Sequence, residues 1–259
     1  MMTLSSNSMP RFVFLNGWGM SSTIFEQWIT TCRTFFPTLD IITPTLNYCE
    51  SPEETIVNLL QQYQINATHP VIVIGWSLGG LFAQQWASSF PETIKGLVLC
   101  ATTPCFVEKA AWTAGISPLV FQKFVHDLQI EPEKTRQTFL FLQAKGDRSA
   151  KLMLQKLKQL PSCFETACLE YLKQGLYWLG AMDTRLLVKK IAVPTYLIHG
   201  QNDALMPVAA SHYLAENIAG SCHVSWIPEC GHVPFWDETA CYTLTAHLFE
   251  YFQLPSIRQ

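Results

Sequence analysis

Charged residues are scarce in this chain of 259 residues, since Asp, Glu, Lys and Arg make up 14% of it, against roughly 25% in ordinary soluble proteins. Hydrophobic residues make up 49%. A disordered chain needs the opposite composition, so we expect a folded protein with a large core. The formal net charge of −3 disfavours a nucleic-acid binder. The length fits one large domain, or one domain that carries an inserted lobe.

Long apolar runs are also missing, because no stretch reaches the roughly 18 consecutive apolar residues of a membrane span. The first residues carry no basic stretch, and the apolar run at residues 12–15 is shorter than the core of a signal peptide. The nine cysteines are odd in number and form no C-x-x-C pair, so neither a zinc site nor a disulfide framework is indicated. These absences predict a cytoplasmic protein with reduced thiols that does not enter a membrane.

Short runs rich in Val, Ile and Leu recur along the chain and indicate strands that are buried on both faces of a parallel sheet. They lie at residues 12–15, 40–43, 71–74, 96–101, 195–199 and 222–227. Helical patterns lie between them. In one of these, Ser51 is a predicted cap, Pro52 follows it, and Glu54 completes a capping box. The alternation of strands and helices predicts a doubly wound α/β fold.

One region breaks this alternation. Between residues 104 and 190 there is no strand-like run, and the patterns at 118–128, 133–142, 150–160 and 163–172 predict helices. A loop of this length without secondary structure would be unusual. We therefore predict an α/β core formed by residues 1–103 and 191–259, with residues 104–190 inserted as an all-helical cap. The cap is expected over the carboxyl ends of the strands, where such sheets bind ligands.

A G-x-S-x-G motif at residues 75–79 follows a predicted strand and precedes a helical pattern. This is the context of a nucleophile elbow, in which a tight turn exposes the serine at the top of the sheet. Gly75 and Gly79 leave room for the close backbone, and Ser77 stands at a helix N-terminus that favours negative charge. The sequence thus predicts Ser77 as a nucleophile, the alternative being a chance match in a turn.

A serine nucleophile needs a base, and in this fold the chain order is Ser, acid, His. His232 lies in a turn directly after the last predicted strand, where functional loops cluster. Asp203 follows the preceding strand and is predicted to orient the imidazole. Asp183 is the alternative acid, and Asp203 could instead cap the next helix. The other histidines are interpreted as structural or lie outside this order; they are His69, His126, His199, His212, His223 and His247.

An oxyanion hole needs two backbone N–H donors. One is predicted at Leu78, directly after the nucleophile, and the other in the loop after the first strand, where Trp18 lies between two glycines. Packing of the Trp18 ring in the core is the alternative, and the two roles are compatible because the hole uses the main chain. This chemistry needs no metal and no organic cofactor.

At these residues the chain resembles α/β-hydrolase esterases and, more narrowly, the family of pimeloyl-[acyl-carrier-protein] methyl ester esterases of biotin synthesis. The narrower likeness lies at residues 16–19, 75–81, 101–106, 139–143, 175–176, 183, 185 and 231–235. It implies the triad Ser77, Asp203 and His232, with Trp18 and Leu78 lining the oxyanion hole. All of these except Asp203 are then expected to contact substrate, together with a stretch of the cap that comprises Phe139, Leu140, Phe141, Leu142 and Gln143. Apart from the resemblance, that stretch is typical of a helix turned into the core of the cap.

Two departures from the family are visible. Asn16 stands where the family usually has His, a change that leaves the backbone donor in place. Eleven residues precede Phe12, where the family usually has a longer segment that adds a strand or hairpin. A short or missing first edge of the sheet is therefore expected.

The resemblance implies a serine carboxylesterase that hydrolyses the methyl ester of pimeloyl-[acyl-carrier protein] through an acyl-enzyme. The alternatives with the same fold are a general short-chain esterase, a thioesterase or a carbon–carbon bond hydrolase, because fold does not fix substrate. A dehalogenase or epoxide hydrolase is disfavoured, since those place Asp where Ser77 stands. A non-catalytic binding protein is the alternative of another class, but it would be expected to lack a member of the triad.

The charge is unevenly distributed along the chain. From Lys134 to Lys158 there are seven basic residues and one acidic residue, Asp147, which is a local balance of +6. A solvated helix face is the ordinary interpretation of such a run. An acidic acyl carrier protein would also be drawn to it, and we expect this partner and a monomeric enzyme. The expected docking residues are Lys134, Arg136, Lys145, Arg148 and Lys151.

Overall fold

The computed structural model describes residues 9–161 and 168–256. Its strands are β1 (Phe12–Leu15), β2 (Ile41–Ile42), β3 (Val71–Trp76), β4 (Ile94–Cys100), β5 (Thr195–Gly200) and β6 (Cys222–Ile227). These strands form one parallel sheet in the order β2-β1-β3-β4-β5-β6. The predicted α/β fold with a parallel sheet is confirmed.

Helices lie between the strands and after the last one. They are α1 (Glu26–Phe35), α2 (Pro52–Gln62), α3 (Leu78–Ser89), α4 (Pro118–Ile130), α5 (Pro132–Ala144), α6 (Ala150–Leu157), α7 (Leu169–Ala181), α8 (Val208–Asn217) and α9 (Glu238–Tyr251). None of the helices in the described ranges is both long enough and apolar enough to cross a bilayer.

The start of α2 shows how the sequence determines a local structure. The side chain of Ser51 accepts a hydrogen bond from the backbone N–H of Glu54 at 3.2 Å, and the Glu54 carboxylate accepts one from the backbone N–H of Ser51 at 3.0 Å. This reciprocal pair is the predicted capping box, with Pro52 at the first helical position. Two N–H groups that the helix itself leaves unpaired are thereby satisfied.

Aromatic side chains join the sheet to the helices that cover it. Phe12 and Phe14 alternate along β1 and so point to one face. Phe12 lies 6.1 Å from Phe249 of α9, and Phe14 lies 5.6 Å from Trp28 of α1, in each case between ring centroids. All four side chains are buried. Helices α1 and α9 therefore cover the same face of β1.

The edges of the sheet agree with the expectation in part. No strand precedes Phe12 within the described part of the chain, as the short or missing first edge implied, but strand β2 has only two residues where the apolar run predicted four. The prediction that every strand is buried on both faces is wrong for β6, which is partly exposed along its whole length. This strand is the last of the sheet, so it has a neighbouring strand on one side only.

Helices α4 to α7 all lie between β4 and β5, in the region where no strand was expected. The predicted helix at 163–172 is only partly tested, because residues 162–167 lie outside the described residues; from Leu169 onward the helix continues to Ala181, well past the predicted end. The two ends of this region meet, since the backbone N–H of Thr184 donates to the carbonyl of Pro104 at 2.7 Å.

Candidate active site

Ser77 occupies the tight turn between β3 and α3. Its backbone has φ 56° and ψ −122°, a sparsely populated conformation that costs about 1–3 kcal/mol in a residue other than glycine. The turn depends on its glycines. A Cβ on Gly75 would lie 2.6 Å from the carbonyl oxygen of Gly79, and a Cβ on Gly79 would overlap the carbonyl of Leu15. The motif therefore forms the elbow that its spacing predicted.

Hydrogen bonds from the neighbouring strand hold this strained turn. The N–H of Ser77 donates to the carbonyl of Cys100, the last residue of β4, at 3.0 Å. The hydroxyl of Thr102 donates to the carbonyl of Ser77 at 2.7 Å. Thr102 is not among the predicted site residues, although its place just after β4, the strand beside the elbow, is a sequence signal for this role. These contacts fix the backbone of the serine before any ligand binds.

Asp203 and His232 lie in the loops that follow β5 and β6, and the structure brings them together. His232 Nδ1 donates to Asp203 Oδ2 at 2.7 Å, and both side chains are buried. The other carboxylate oxygen of Asp203 accepts from the N–H groups of Leu205 at 2.8 Å and Met206 at 2.9 Å. Burial alone would raise the pKa of Asp203, but the adjacent His232 and, to a smaller extent, the hydrogen bond from the Met206 N–H lower it below its usual value. The carboxylate is therefore ionised at neutral pH.

The hydrogen bond to Asp203 leaves the second ring nitrogen of His232 as an acceptor. In the neutral imidazole the proton is on Nδ1, so Nε2 carries the lone pair. Nε2 is buried and has no hydrogen-bond partner among the described residues. The loop is also tied to the elbow, since Trp76 Nε1 donates to the carbonyl of His232 at 2.8 Å and Trp76 directly precedes Ser77. The acceptor nitrogen of His232 thus lies in a loop that is fixed to the residue next to Ser77.

Asp183, the alternative acid, has other partners. Its carboxylate accepts from Arg185 at 2.6 Å and lies 3.7 Å from the ammonium group of Lys109. The hydrogen bond from Arg185 lowers the pKa of Asp183, and the side chain is 27% exposed. This acid is an ion-paired residue where the helical region ends, and the structure pairs His232 with Asp203 instead.

The loop after β1 lies directly beside the serine. A Cβ on Gly17 would lie 2.9 Å from the Cβ of Ser77, so only glycine permits this approach. The side-chain amide of Asn16 donates to the carbonyls of Gly17 and Met20 and closes the loop on itself. Leu78 is the first residue of α3, so its N–H is one of those that a helix leaves without an internal acceptor. Leu78 and the loop that carries Trp18 therefore lie next to Ser77 on two different elements.

The ring of Trp18 packs against the helices that follow β4. Its Nε1 donates to the carbonyl of Leu172 in α7 at 2.8 Å, and its ring lies 4.9 Å from Phe139 of α5 and 5.6 Å from Phe124 of α4. A Cβ on Gly175 would lie 2.7 Å from the Trp18 ring, so this position of α7 needs a glycine. The side chain of Trp18 thus joins the loop beside the serine to three helices of residues 104–190.

Gln143, near the end of α5, combines complete burial with unused hydrogen-bonding groups. Neither its side-chain oxygen nor its side-chain nitrogen has a partner among the described residues. Its carbonyl accepts from the backbone N–H of His232 at 3.2 Å. An unpaired buried amide costs free energy, so it indicates a polar ligand group or water at this position. Gln143 was predicted to contact substrate only from the family resemblance. The residues around it in the sequence are typical of a buried helix and carry no such signal.

The rest of the expected substrate stretch does not share one environment. Phe139 and Leu140 are buried as Gln143 is, and Leu142 is partly buried. Phe141, in contrast, is 52% exposed. Successive helical positions turn by about 100°, so a residue two positions from Phe139 and two from Gln143 faces away from both.

The basic region is less uniformly cationic than the sequence indicated, because three of the five expected docking residues have carboxylate partners. The pairs are Lys134 with Glu131 at 2.8 Å, Arg136 with Glu133 at 3.0 Å, and Arg148 with Glu229. All three acids lie outside residues 134–158, the range that gave the local charge balance of +6. That balance therefore overstates the unpaired positive charge of this surface. Lys145 and Lys151 are exposed, and no carboxylate pairs with them in the described ranges.

Relatives of known activity are similar to most of this chain. A family model described as serine aminopeptidase, S33 (Hydrolase_4) matches residues 53–239, a range that includes Ser77, Asp203 and His232. The pimeloyl-[acyl-carrier protein] methyl ester esterase of Xylella fastidiosa (strain 9a5c) is 31% identical over 231 residues, which cover 87% of this chain and 89% of that protein. The protein of the same name from Pseudoalteromonas atlantica is 31% identical over 247 residues, covering 92% and 93%.

Solved structures share the fold. The esterase EaEST from Exiguobacterium antarcticum superposes with a TM-score of 0.76 at 22% identity, over 95% of this chain and 92% of that one. MenH from S. aureus superposes with a TM-score of 0.71 at 20% identity, over 94% of each chain. At these identities the likeness establishes the fold alone.

Proposed function

Because this chain belongs to the family of pimeloyl-[acyl-carrier protein] methyl ester esterases, we propose that it releases methanol from the methyl ester of pimeloyl-[acyl-carrier protein] in biotin synthesis. The chain is a serine ester hydrolase of the α/β-hydrolase fold. The observation that carries the proposed chemistry is the buried pair Asp203–His232, whose unpartnered Nε2 lies in a loop tied to the Ser77 elbow.

In the proposed mechanism, Ser77 Oγ attacks the carbonyl carbon of the methyl ester while His232 Nε2 takes the hydroxyl proton. The N–H groups of Leu78 and Trp18 donate to the oxyanion. The C–O bond to the methoxy group then breaks, and the imidazolium gives its proton to methanol. A water molecule loses a proton to His232 and attacks the acyl-enzyme, which releases the free carboxylate and restores Ser77. The charge of Asp203 stabilises the imidazolium in both halves of the cycle.

We propose further that residues 104–190 form a cap over this site, inserted between core segments 1–103 and 191–259. Support comes from the ring of Trp18, which contacts α4, α5 and α7 beside the serine loop. The backbone bond from His232 to Gln143 ties α5 to the loop of the base. In this arrangement Phe139 and the unpaired amide of Gln143 are available to an acyl chain that enters beneath the cap.

The substrate assignment is tested by comparing the carrier-bound methyl ester with free dimethyl pimelate and with a p-nitrophenyl ester. We expect a higher kcat/KM for the carrier-bound ester, with methanol as a product and the thioester to the carrier left intact. Equal kcat/KM values for the carrier-bound methyl ester and free dimethyl pimelate would contradict the carrier specificity and favour a general short-chain esterase. Release of free carrier thiol would identify a thioesterase instead.

We propose that an acidic acyl carrier docks on the exposed basic surface formed by α5, α6 and the loop between them. Lys145 and Lys151 are the expected docking cations that no carboxylate of the described residues neutralises. Reversal of both charges by Lys145→Glu and Lys151→Glu should lower kcat/KM for the carrier-bound ester on the order of tenfold at low salt. The loss should shrink as salt screens the interaction. The measurement is the ratio of carrier-bound to p-nitrophenyl ester turnover over a salt series.

Lys95→Glu is the matched control for this reversal. Lys95 is exposed and lies at the amino end of β4, whereas the residues of the proposed site follow the carboxyl ends of the strands. Its reversal should leave the ratio of the two turnovers unchanged. A fall in that ratio for Lys95→Glu equal to the fall for the double variant would mean that net charge alone matters, and the docking surface would be abandoned.

We also propose that the enzyme acts as a monomer in the cytoplasm. All the residues of the proposed site come from one chain, so the chemistry needs no second copy. The eight cysteines within the described residues are free thiols, which suits a reducing compartment. Burial raises the pKa of Cys32 to about 12 and of Cys222 to about 11, so these thiols are unreactive at neutral pH.

A further inference from the structure

A second buried histidine, His199, lies next to the acid of the proposed triad. It stands on β5, four residues before Asp203, and its side chain is fully buried. Nε2 lies 2.9 Å from the carbonyl oxygen of Met206, and Nδ1 lies 2.6 Å from the hydroxyl of Ser211. A carbonyl can only accept, so Nε2 carries the proton and Nδ1 accepts from Ser211. The surroundings therefore fix one neutral tautomer.

This tautomer connects His199 to the Asp203 carboxylate through the backbone of one turn. The N–H of Met206, whose carbonyl His199 holds, donates to Asp203 Oδ1. Nε2 of His199 lies 3.7 Å from Asp203 Oδ2, which is too long for a hydrogen bond. Asp203 Oδ2 therefore accepts its hydrogen bond from His232 and not from His199. The chain of contacts runs from His199 through Met206 and Asp203 to the proposed base.

The charge state of His199 matches this role. Burial lowers the pKa of His199, and this effect outweighs the opposite influence of Asp203. The other titratable groups that face it are His232, in the loop after β6, and His212 on α8, and both also favour the neutral form. A neutral His199 does not compete with the imidazolium of His232 for the carboxylate.

We propose that His199 is a positioning residue, whose Nε2–H anchors the turn at Met206 and so aligns the Asp203 carboxylate with His232. The inference rests on the proposed triad but not on the identity of the natural substrate. It also gives Ser211 a role, as the hydroxyl that selects the tautomer. The sequence shows His199 only as the end of a predicted strand, because its partners lie in a turn and a helix that only the fold brings together.

Two amide substitutions separate the contacts of His199. The amide nitrogen of Gln reaches the position of Nε2 and can donate to Met206, whereas the shorter Asn reaches only the position of Nδ1. We expect His199→Gln to hydrolyse a p-nitrophenyl ester at close to the wild-type rate. His199→Asn should lose up to about a hundredfold in kcat with little change in KM, since small misplacements of a catalytic group have effects of that size. His223→Asn, an exposed histidine on β6, is the matched control.

The second readout is the proton on His232 Nδ1, observed by NMR as a downfield resonance of a short imidazole–carboxylate hydrogen bond. We expect it in wild type and His199→Gln, and expect it shifted or lost in His199→Asn. Equal kcat values and equal resonances for the two variants would overturn the proposal. If His199→Asn does not fold, loss of activity and of the resonance in folded His199→Gln would overturn it as well.

The pH profile of kcat/KM is a further test, because a change in packing alone would not shift it. Since His199 is neutral, its replacement by Gln should leave the acid limb in place. Movement of that limb to higher pH in His199→Gln would reveal a cation lost from beside His232 and would contradict the proposal. If the wild-type protein lacks all esterase activity, the proposed function fails, whereas the NMR comparison still decides whether His199 aligns the pair.

Discussion

Replacement of Ser77 by Ala should lower kcat for ester hydrolysis by more than about a thousandfold and leave the fold intact, because loss of a triad member removes the covalent route. The backbone strain at position 77 is the same for Ala as for Ser, since both carry a Cβ. The contacts that hold the turn, from Cys100 and Thr102, involve only the main chain of Ser77. The variant should therefore keep the thermal unfolding temperature of the wild type while it loses ester turnover.

Ser89→Ala is the matched control, because Ser89 is the last residue of α3 and its hydroxyl is exposed. This variant should keep wild-type turnover. A fluorophosphonate probe should label Ser77 in the folded wild type and leave Ser77→Ala unlabelled. Retention of more than about a thousandth of the rate by Ser77→Ala would refute the nucleophile. No labelling of Ser77 in the wild type would favour the alternative of a non-catalytic binding protein.

Replacement of Asp203 by Asn should reduce kcat by about four orders of magnitude at neutral pH. The N–H groups of Leu205 and Met206 both donate to Asp203 Oδ1, so the amide oxygen of Asn should occupy that position. Its NH₂ group then faces His232 Nδ1, which must accept instead of donate. The imidazole proton moves to Nε2, and the base can no longer take a proton from Ser77.

Asp183→Asn is the control for this experiment, since Asp183 is the alternative acid and pairs with Arg185 and Lys109. We expect it to keep its turnover of a p-nitrophenyl ester. The comparison uses kcat of the two variants from steady-state kinetics, and circular dichroism checks that both are folded. An equal loss in both, or wild-type turnover in Asp203→Asn, would mean that the acid has been assigned wrongly.

The elbow was predictable because its determinants are local. Close backbone contact on both sides of Ser77 requires Gly75 and Gly79, and the strand before and the helix after are visible as short patterns. The capping box at Ser51 has the same origin, since its two hydrogen bonds join residues three positions apart. Asp203 and His232 followed from the chain order of the fold and from their places after successive strands.

Other features depend on contacts between distant parts of the chain. The partial exposure of β6 depends on its place at the edge of the sheet, which no local pattern records. Arg148 pairs with Glu229, 81 residues away, so a count along the sequence could not include that carboxylate. The unpaired amide of Gln143 and the tautomer of His199 likewise become visible only when their surroundings are known.

In the proposed reaction, Ser77 attacks the methyl ester of a carrier-bound pimeloyl chain. Attack at the methyl end expels methanol and leaves the other end of the chain attached to the carrier. The acyl-enzyme is therefore a covalent conjugate of the two proteins, joined through Ser77. Its formation can be followed by acid quench and intact mass spectrometry during the first turnover.

We expect a species with the summed mass of enzyme and carrier-bound methyl ester less the mass of methanol. It should form as methanol appears and decay to free enzyme and pimeloyl-carrier. Peptide mapping should place the link on Ser77, and Ser77→Ala should form none. Methanol release by the wild type without any conjugate during the first turnover, or a conjugate linked at another residue, would contradict the account.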